Sequence, residues 1–220
     1  GQHKCAHDEY INLLSDPASK SPRIYSQLQF KIGKSSLDLK LNEEGLAALQ
    51  EAVITERTNY QFRRALAEAY LRFDLIEDAK SSARVALQIS PHELDNILWY
   101  SNFMLANGET QKAIASLKDA IIQSPNNREL YISLSRLYIS INDYVSAKSI
   151  LNDMINLEDI SIHEMSNAAS IFFHLNDIDK ASSLIQKAIS SNGQKSFWDL
   201  DEIIRMLLLI GEFETAKELV

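Results

Sequence analysis

The chain has one cysteine, Cys5, in 220 residues. That excludes an internal disulfide framework and any four-cysteine zinc site. It has no glycine-rich loop: Asn107-Gly108 and Ile210-Gly211 read as helix stops, not phosphate cradles. No apolar run approaches the roughly 18–20 residues needed to span a bilayer. The longest is Met206 to Ile210. Gly1 to Tyr10 is polar and lacks the apolar core of a signal peptide. Basic residues are outnumbered, 22 against 30, for a net charge of −8 and with no Lys/Arg run. Nucleic acids and anionic membranes call for the opposite field, which argues against both as main partners and against membrane insertion. Basic or mixed-charge protein surfaces stay open.

What is present is a period. Pro91 and Pro125 stand 34 residues apart, and each follows the same apolar pattern: Ala79, Ala83, Ala86 before one and Ala113, Leu117, Ala120 before the other. Further copies are Ala147, Leu151, Met154 and Ala181, Ile185, Ala188, with Gly45, Leu49, Ala52 upstream. A fixed period of this length marks a solenoid of stacked helix pairs. The pattern predicts a first helix over 60–73, a turn at Asp74 and a second helix over 76–89. The proline then ends the pair by disfavouring helix at the preceding residue. Later pairs fall at 94–106 and 110–123, 128–140 and 145–156, 162–175 and 178–190, and 197–210 followed by 212 onward. Gly193 replaces proline as breaker, and one extra residue falls in the loop 191–196. Upstream, 43–54 and the less regular 25–36 make a weaker pair. Residues 1–24 are expected to be irregular, with one short helix over 8–14 and loops at Asp16-Pro17 and Ser21-Pro22. The array therefore covers 25–220 in about five repeats. The last is cut inside a helix, which reads the chain as a piece of a longer protein.

These units resemble the tetratricopeptide repeat. The residues carrying the likeness are Leu66-Ala67, Tyr70, Ala79, Ala83, Ala86 and Pro91 in one unit. In others they are Leu134-Ser135, Tyr138, Ala147, Leu151 and Met154, and Ala168-Ala169, Phe172, Ala181, Ile185 and Ala188. Arg63, Gln29 and Met104 depart from it. The resemblance implies an all-α, right-handed superhelical solenoid whose first helices line a concave groove that holds peptides, helices or partner domains.

On that register the partner-binding groove is expected at Arg64, Glu68, Leu98, Asn102, Leu105, Ile132, Arg136, Ile139, Ser166, Ser170, Phe173 and Arg205, with Leu71, Asp201 and Leu208 beside them. Arg64 and Arg136 are candidate carboxylate receptors, against the simpler reading that they pair within the array, as Arg64 would with Glu68. The basic and amide set with which some family members hold chaperone tails is missing, because Glu68, Trp99 and Glu129 occupy its positions. Trp99 and Trp198 read as inter-repeat packing residues, with a groove anchor as the alternative.

No histidine pairs with a nucleophile or carboxylate as a triad, and His163 and His174 lie too far apart to share a metal. Gly1-Gln2-His3 has the spacing of an amine–imidazole copper or nickel site, but reads more simply as an irregular end. No catalytic residue, metal or cofactor is therefore expected in this chain. The expected function is a protein–protein interaction scaffold or adaptor, from a soluble protein of the cytoplasm or periplasm, with the Ile-, Ser- and Asn-rich composition hinting at a bacterial source. The alternative is a non-catalytic accessory domain of a larger enzyme or of an envelope, secretion or polysaccharide-export protein. Self-association is a further expectation, through a C-terminal repeat that bares Ile203, Met206, Leu207 and Ile210.

Overall fold

A computed structural model describes residues 2–191 and 196–219, with side chains from Lys4 onward. Among the described residues there are thirteen α-helices and no strand. They are α1 Gln2–Leu13, α2 Pro22–Asp38, α3 Asn42–Thr55, α4 Tyr60–Leu71, α5 Ile76–Ile89, α6 Leu94–Ala106, α7 Thr110–Gln123, α8 Arg128–Ser140, α9 Tyr144–Ile155, α10 Ile162–His174, α11 Ile178–Ser190, α12 Phe197–Ile210 and α13 Phe213–Glu218. Contacts group them into two compact units, residues 1–116 and 117–220, with the boundary inside α7. Residues 192–195 of the loop expected to hold the extra residue, Gly193 included, lie outside the described residues. So do Gly1 and the side chains of Gln2 and His3.

From α2 onward the helices form pairs, and every pair turns in the same way. The turning residues have positive φ: Lys40, Asp74, Gly108, Asn142, Asn176 and Gly211. A left-handed residue just past a helix lets the following N–H reach back to a carbonyl five residues earlier. Those bonds run from Leu41 to Ser36, Leu75 to Tyr70, Glu109 to Met104, Asp143 to Tyr138, Asp177 to Phe172 and Glu212 to Leu207, all between 2.8 and 3.1 Å. The 34-residue period is therefore written in backbone conformation as well as in apolar spacing.

Within a pair the two helices touch at a row of small residues. Gly33, Ala67, Ser101, Ser135 and Ala169 are all buried. Ser101 and Ser135 use the contact to donate to the carbonyls of Ala113 and Ala147, each at 3.4 Å. The pair α2–α3 is the tightest, since a Cβ on Gly33 would come within 2.6 Å of Leu49 Cγ and one on Gly45 within 2.7 Å of Leu37 Cγ. In the second unit Leu151, Met154, Phe172, Ile185, Ile203 and Leu207 make the core, all at most 1% exposed.

The N-terminal stretch differs from the irregular segment expected. Helix α1 spans Gln2–Leu13, Pro17–Lys20 forms a 3-10 turn, and α2 starts at Pro22. Both prolines sit at a helix start, where a missing N–H costs nothing, and the Asp16 carboxylate accepts from Ala18 N at 2.8 Å. Helix α1 is pinned by buried His7. Its Nδ1 lies 3.1 Å from Ser35 Oγ and its Nε2 3.2 Å from Glu44 Oε1. That anchor links positions 28 and more residues apart, so local patterning could not show it.

Candidate protein-binding surface

The residues expected to line a groove fall in three rows, each taking one position per first helix. In the first unit these helices are α2, α4 and α6. In the second they are α8, α10 and α12.

The first row is enclosed at its middle and open at its end, where Asp201 is exposed. Arg64 and Leu98 are half-buried, whereas Ile132 and Ser166 are 2% and 0% exposed. Those two do not line an open surface. Ile132 is held in the apolar core of the second unit, and Ser166 is enclosed with its hydroxyl lacking a partner. The third row, Leu71, Leu105, Ile139 and Phe173, is half-buried, and Leu208 at its end is exposed. The middle row is the exposed one. Glu68, Asn102, Arg136 and Arg205 are exposed and Ser170 is half-buried. One step upstream the same register reaches Phe30 and Lys34 on α2, half-buried and exposed. The sequence reading stopped one repeat short of them, although the spacing that placed Arg64 and Glu68 also places these two.

In the first unit these groups meet in a cleft of about 340 Å3 lined by Phe30, Lys34, Gln61, Arg64, Ala65, Glu68 and Asp95. Arg64 is not a free carboxylate receptor. Its Nη1 is bonded to Asp95 Oδ2, and its guanidinium lies 4.9 Å from the Trp99 ring centre. It does not pair with Glu68 either. The Trp99 indole donates to Glu68 Oε1 at 2.9 Å and stacks on Phe103 with 5.0 Å between centroids. Trp99 thus packs as expected and also orders the carboxylate. Lys34 lies 5.6 Å over the Phe30 ring, and Phe30 stacks on Phe62 at 4.8 Å. No ion pair of Lys34 is seen among the described residues.

The second unit is arranged differently. Arg136 is exposed and has no ion-pair partner among the described residues. Arg205 is taken up by Asp201, Nη2 to Oδ2 at 2.9 Å. Ile139 lines a cleft of about 550 Å3 with Tyr144, Val145, Lys148, His174, Leu175 and Asn176. Lys148 there bonds Asp177 Oδ2 at 3.0 Å, and that bond is the first cause holding the Asp177 carboxyl below the usual range.

Two expectations for the last pair are corrected. Ile203, Met206 and Leu207 are buried at 0%, 3% and 0%, and Ile210 is half-buried, so this apolar face is used inside the unit. Trp198, expected to pack between repeats, is 77% exposed beside Phe197 at 75%. Both sit in the first turn of α12 and face away from Ile203. No group of three or more histidine, cysteine or acidic side chains suited to a metal occurs among the described residues, and no described helix is long and apolar enough to cross a membrane.

Helix pairs recur on a 34-residue register, each with the same left-handed turn, and this all-α arrangement is that of tetratricopeptide repeats. Residues 104–159 match the family model described as tetratricopeptide repeat. The chain is 24% identical over 173 residues to BBSome complex member BBS4 of Bos taurus, which covers 79% of this chain and 33% of that one. For the Mus musculus protein of the same name it is 26% identical over 131 residues, covering 60% and 25%. The chain thus spans a third or less of these relatives' length. Solved structures share its fold, two of them as follows. MamA has a TM-score of 0.53 at 19% identity, covering 70% of this chain and 88% of its own. A tetratricopeptide repeat protein from Parabacteroides merdae has 0.51 at 14% identity, covering 96% and 78%.

Proposed function

We propose that this chain is a protein-interaction scaffold whose first unit holds an extended segment of a partner across α2, α4 and α6. The observation that carries the reading is the exposed row Lys34, Glu68 and Asn102: cation, carboxylate and amide on successive first helices, beside a cleft. Packed helices lie about 8–10 Å apart, and an extended chain advances about 3.3 Å per residue. Every third residue of a partner strand therefore meets the next helix. A segment with an acidic side chain, then a basic one three residues on, then a hydrogen-bonding one three further, matches the row. Arg64, fixed by Asp95 and Trp99, acts as a strut that keeps Glu68 in place. The likeness to a protein named as a member of a complex supports a scaffold role and leaves the partner open.

Peptide arrays probed with the purified chain test this. Wild type should prefer acidic-x-x-basic spacing, and Lys34→Glu/Glu68→Lys should invert the preference to basic-x-x-acidic while helicity is kept. An unchanged preference would place binding elsewhere. Arg136, exposed and with no ion-pair partner among the described residues, supplies a separate probe. If Arg136→Glu alone abolishes peptide binding, the second unit holds the partner and the first-unit reading fails.

A further inference from the structure

The outer face of α12 has a symmetry that the interior does not need. Its exposed residues are Phe197, Trp198, Asp201, Arg205, Leu208 and Leu209. At 3.6 residues per turn they share one side of the helix, opposite Ile203 and Met206, which enter the core. Trp198, Asp201, Arg205 and Leu208 follow the alternating three- and four-residue spacing of a helix-pairing seam. Phe197 and Leu209 flank its ends.

The order of these residues is palindromic in chemistry and in spacing about the level of residue 203. An antiparallel copy of α12 centred there sets Phe197 against Leu209, Trp198 against Leu208, and Asp201 against Arg205. Each contact occurs twice, as a closed two-fold interface requires. A parallel copy would oppose Asp201 to Asp201 and Arg205 to Arg205. Four of the six are large apolar side chains 49–77% exposed, two at each end of the seam. Clustered apolar groups of this kind mark an association surface.

We propose that α12 pairs antiparallel with α12 of a second copy, making a two-fold homodimer with Asp201 and Arg205 bonded across the axis. Arg205 holds the same register position as Lys34, Glu68 and Asn102, but on a helix of the second unit, so occupation of this face withdraws Arg205 from any peptide groove and leaves the first-unit row untouched. The Asp201–Arg205 bond within one helix, 2.9 Å long, holds both groups on the seam before pairing and leaves each with further capacity for the partner.

Sedimentation equilibrium of the 220-residue chain tests the pairing. Wild type should show a concentration-dependent dimer. Asp201→Arg puts Arg against Arg, and Arg205→Asp puts Asp against Asp. Each variant alone should weaken association by about tenfold or more, because like charges then meet at the seam. Mixed together, the two should associate again with wild-type affinity, since each supplies the charge the other lacks. Rescue by mixing follows from pairing across two chains and not from the bond within one helix. Circular dichroism checks that each variant is folded, and Leu208→Gln, which leaves Asp201, Arg205 and the net charge unchanged, should also weaken the dimer. A wild-type monomer at all concentrations would overturn the proposal and give the face to another partner or to further repeats. Single variants that dimerise like wild type, or a mixture that stays monomeric, would overturn the antiparallel register.

Discussion

A handful of single residues set how closely the helices meet. Gly45 carries the most direct consequence. An added methyl there would lie 2.7 Å from Leu37 Cγ and 3.0 Å from the Gly33 carbonyl. Gly45→Ala gains up to about 1 kcal/mol of helix propensity and loses about 1–3 kcal/mol to overpacking. The expected net is destabilisation, read as a lower urea midpoint at constant slope. Lys40 gives the opposite case. It is a side-chain-bearing residue at φ +64°, where later repeats twice use glycine. Lys40→Gly should raise stability by about 1 kcal/mol, because the left-handed conformation costs an L-residue that much. A neutral or negative change would show that the Lys40 side chain has a compensating contact.

Helices, as elements, were largely legible in the sequence. The boundaries of α5, α6, α7, α8, α11 and α12 fall where the period places them, because small residues, stops and turns recur together and reinforce one another. Helix α1 was not legible, since its anchor is His7 meeting Ser35 and Glu44 from distant parts of the chain. Which groove positions stay open was only partly legible. Register fixes the side of a helix but not its depth, so it could not separate exposed Arg136 from enclosed Ile132, four residues earlier.

Charge couples elements at the start of α7. Glu109 bonds Lys112 at 2.8 Å and Lys80 of α5 at 2.9 Å. These bonds, Lys112 first and Lys80 second, hold its carboxyl down at about 2, and Glu109 in turn raises Lys80. A group depressed on folding stabilises fully above its ordinary carboxylate value. That contribution is lost as pH falls through the folded value. Urea midpoints from about pH 5 to about pH 2 should therefore decline less steeply in Glu109→Gln than in wild type. Equal slopes would show that the cluster is too well solvated to matter.

At the scale of the whole chain, two compact units predict two levels of protection. Amides of the buried helices in 1–116 and in 117–220 should exchange with distinct opening free energies, because a repeat array is stabilised mainly by neighbour contacts. A single shared value would mean that the chain opens as one cooperative body. The shared left-handed turn has a further, genetic consequence. From Lys40 to Asn176 it recurs at one interval, so a gene duplication or deletion one interval long would join a turn to an equivalent turn. Every new junction would then be one the chain already makes, and arrays of this kind can gain or lose length in a single recombination event without passing through a misfolded ancestor.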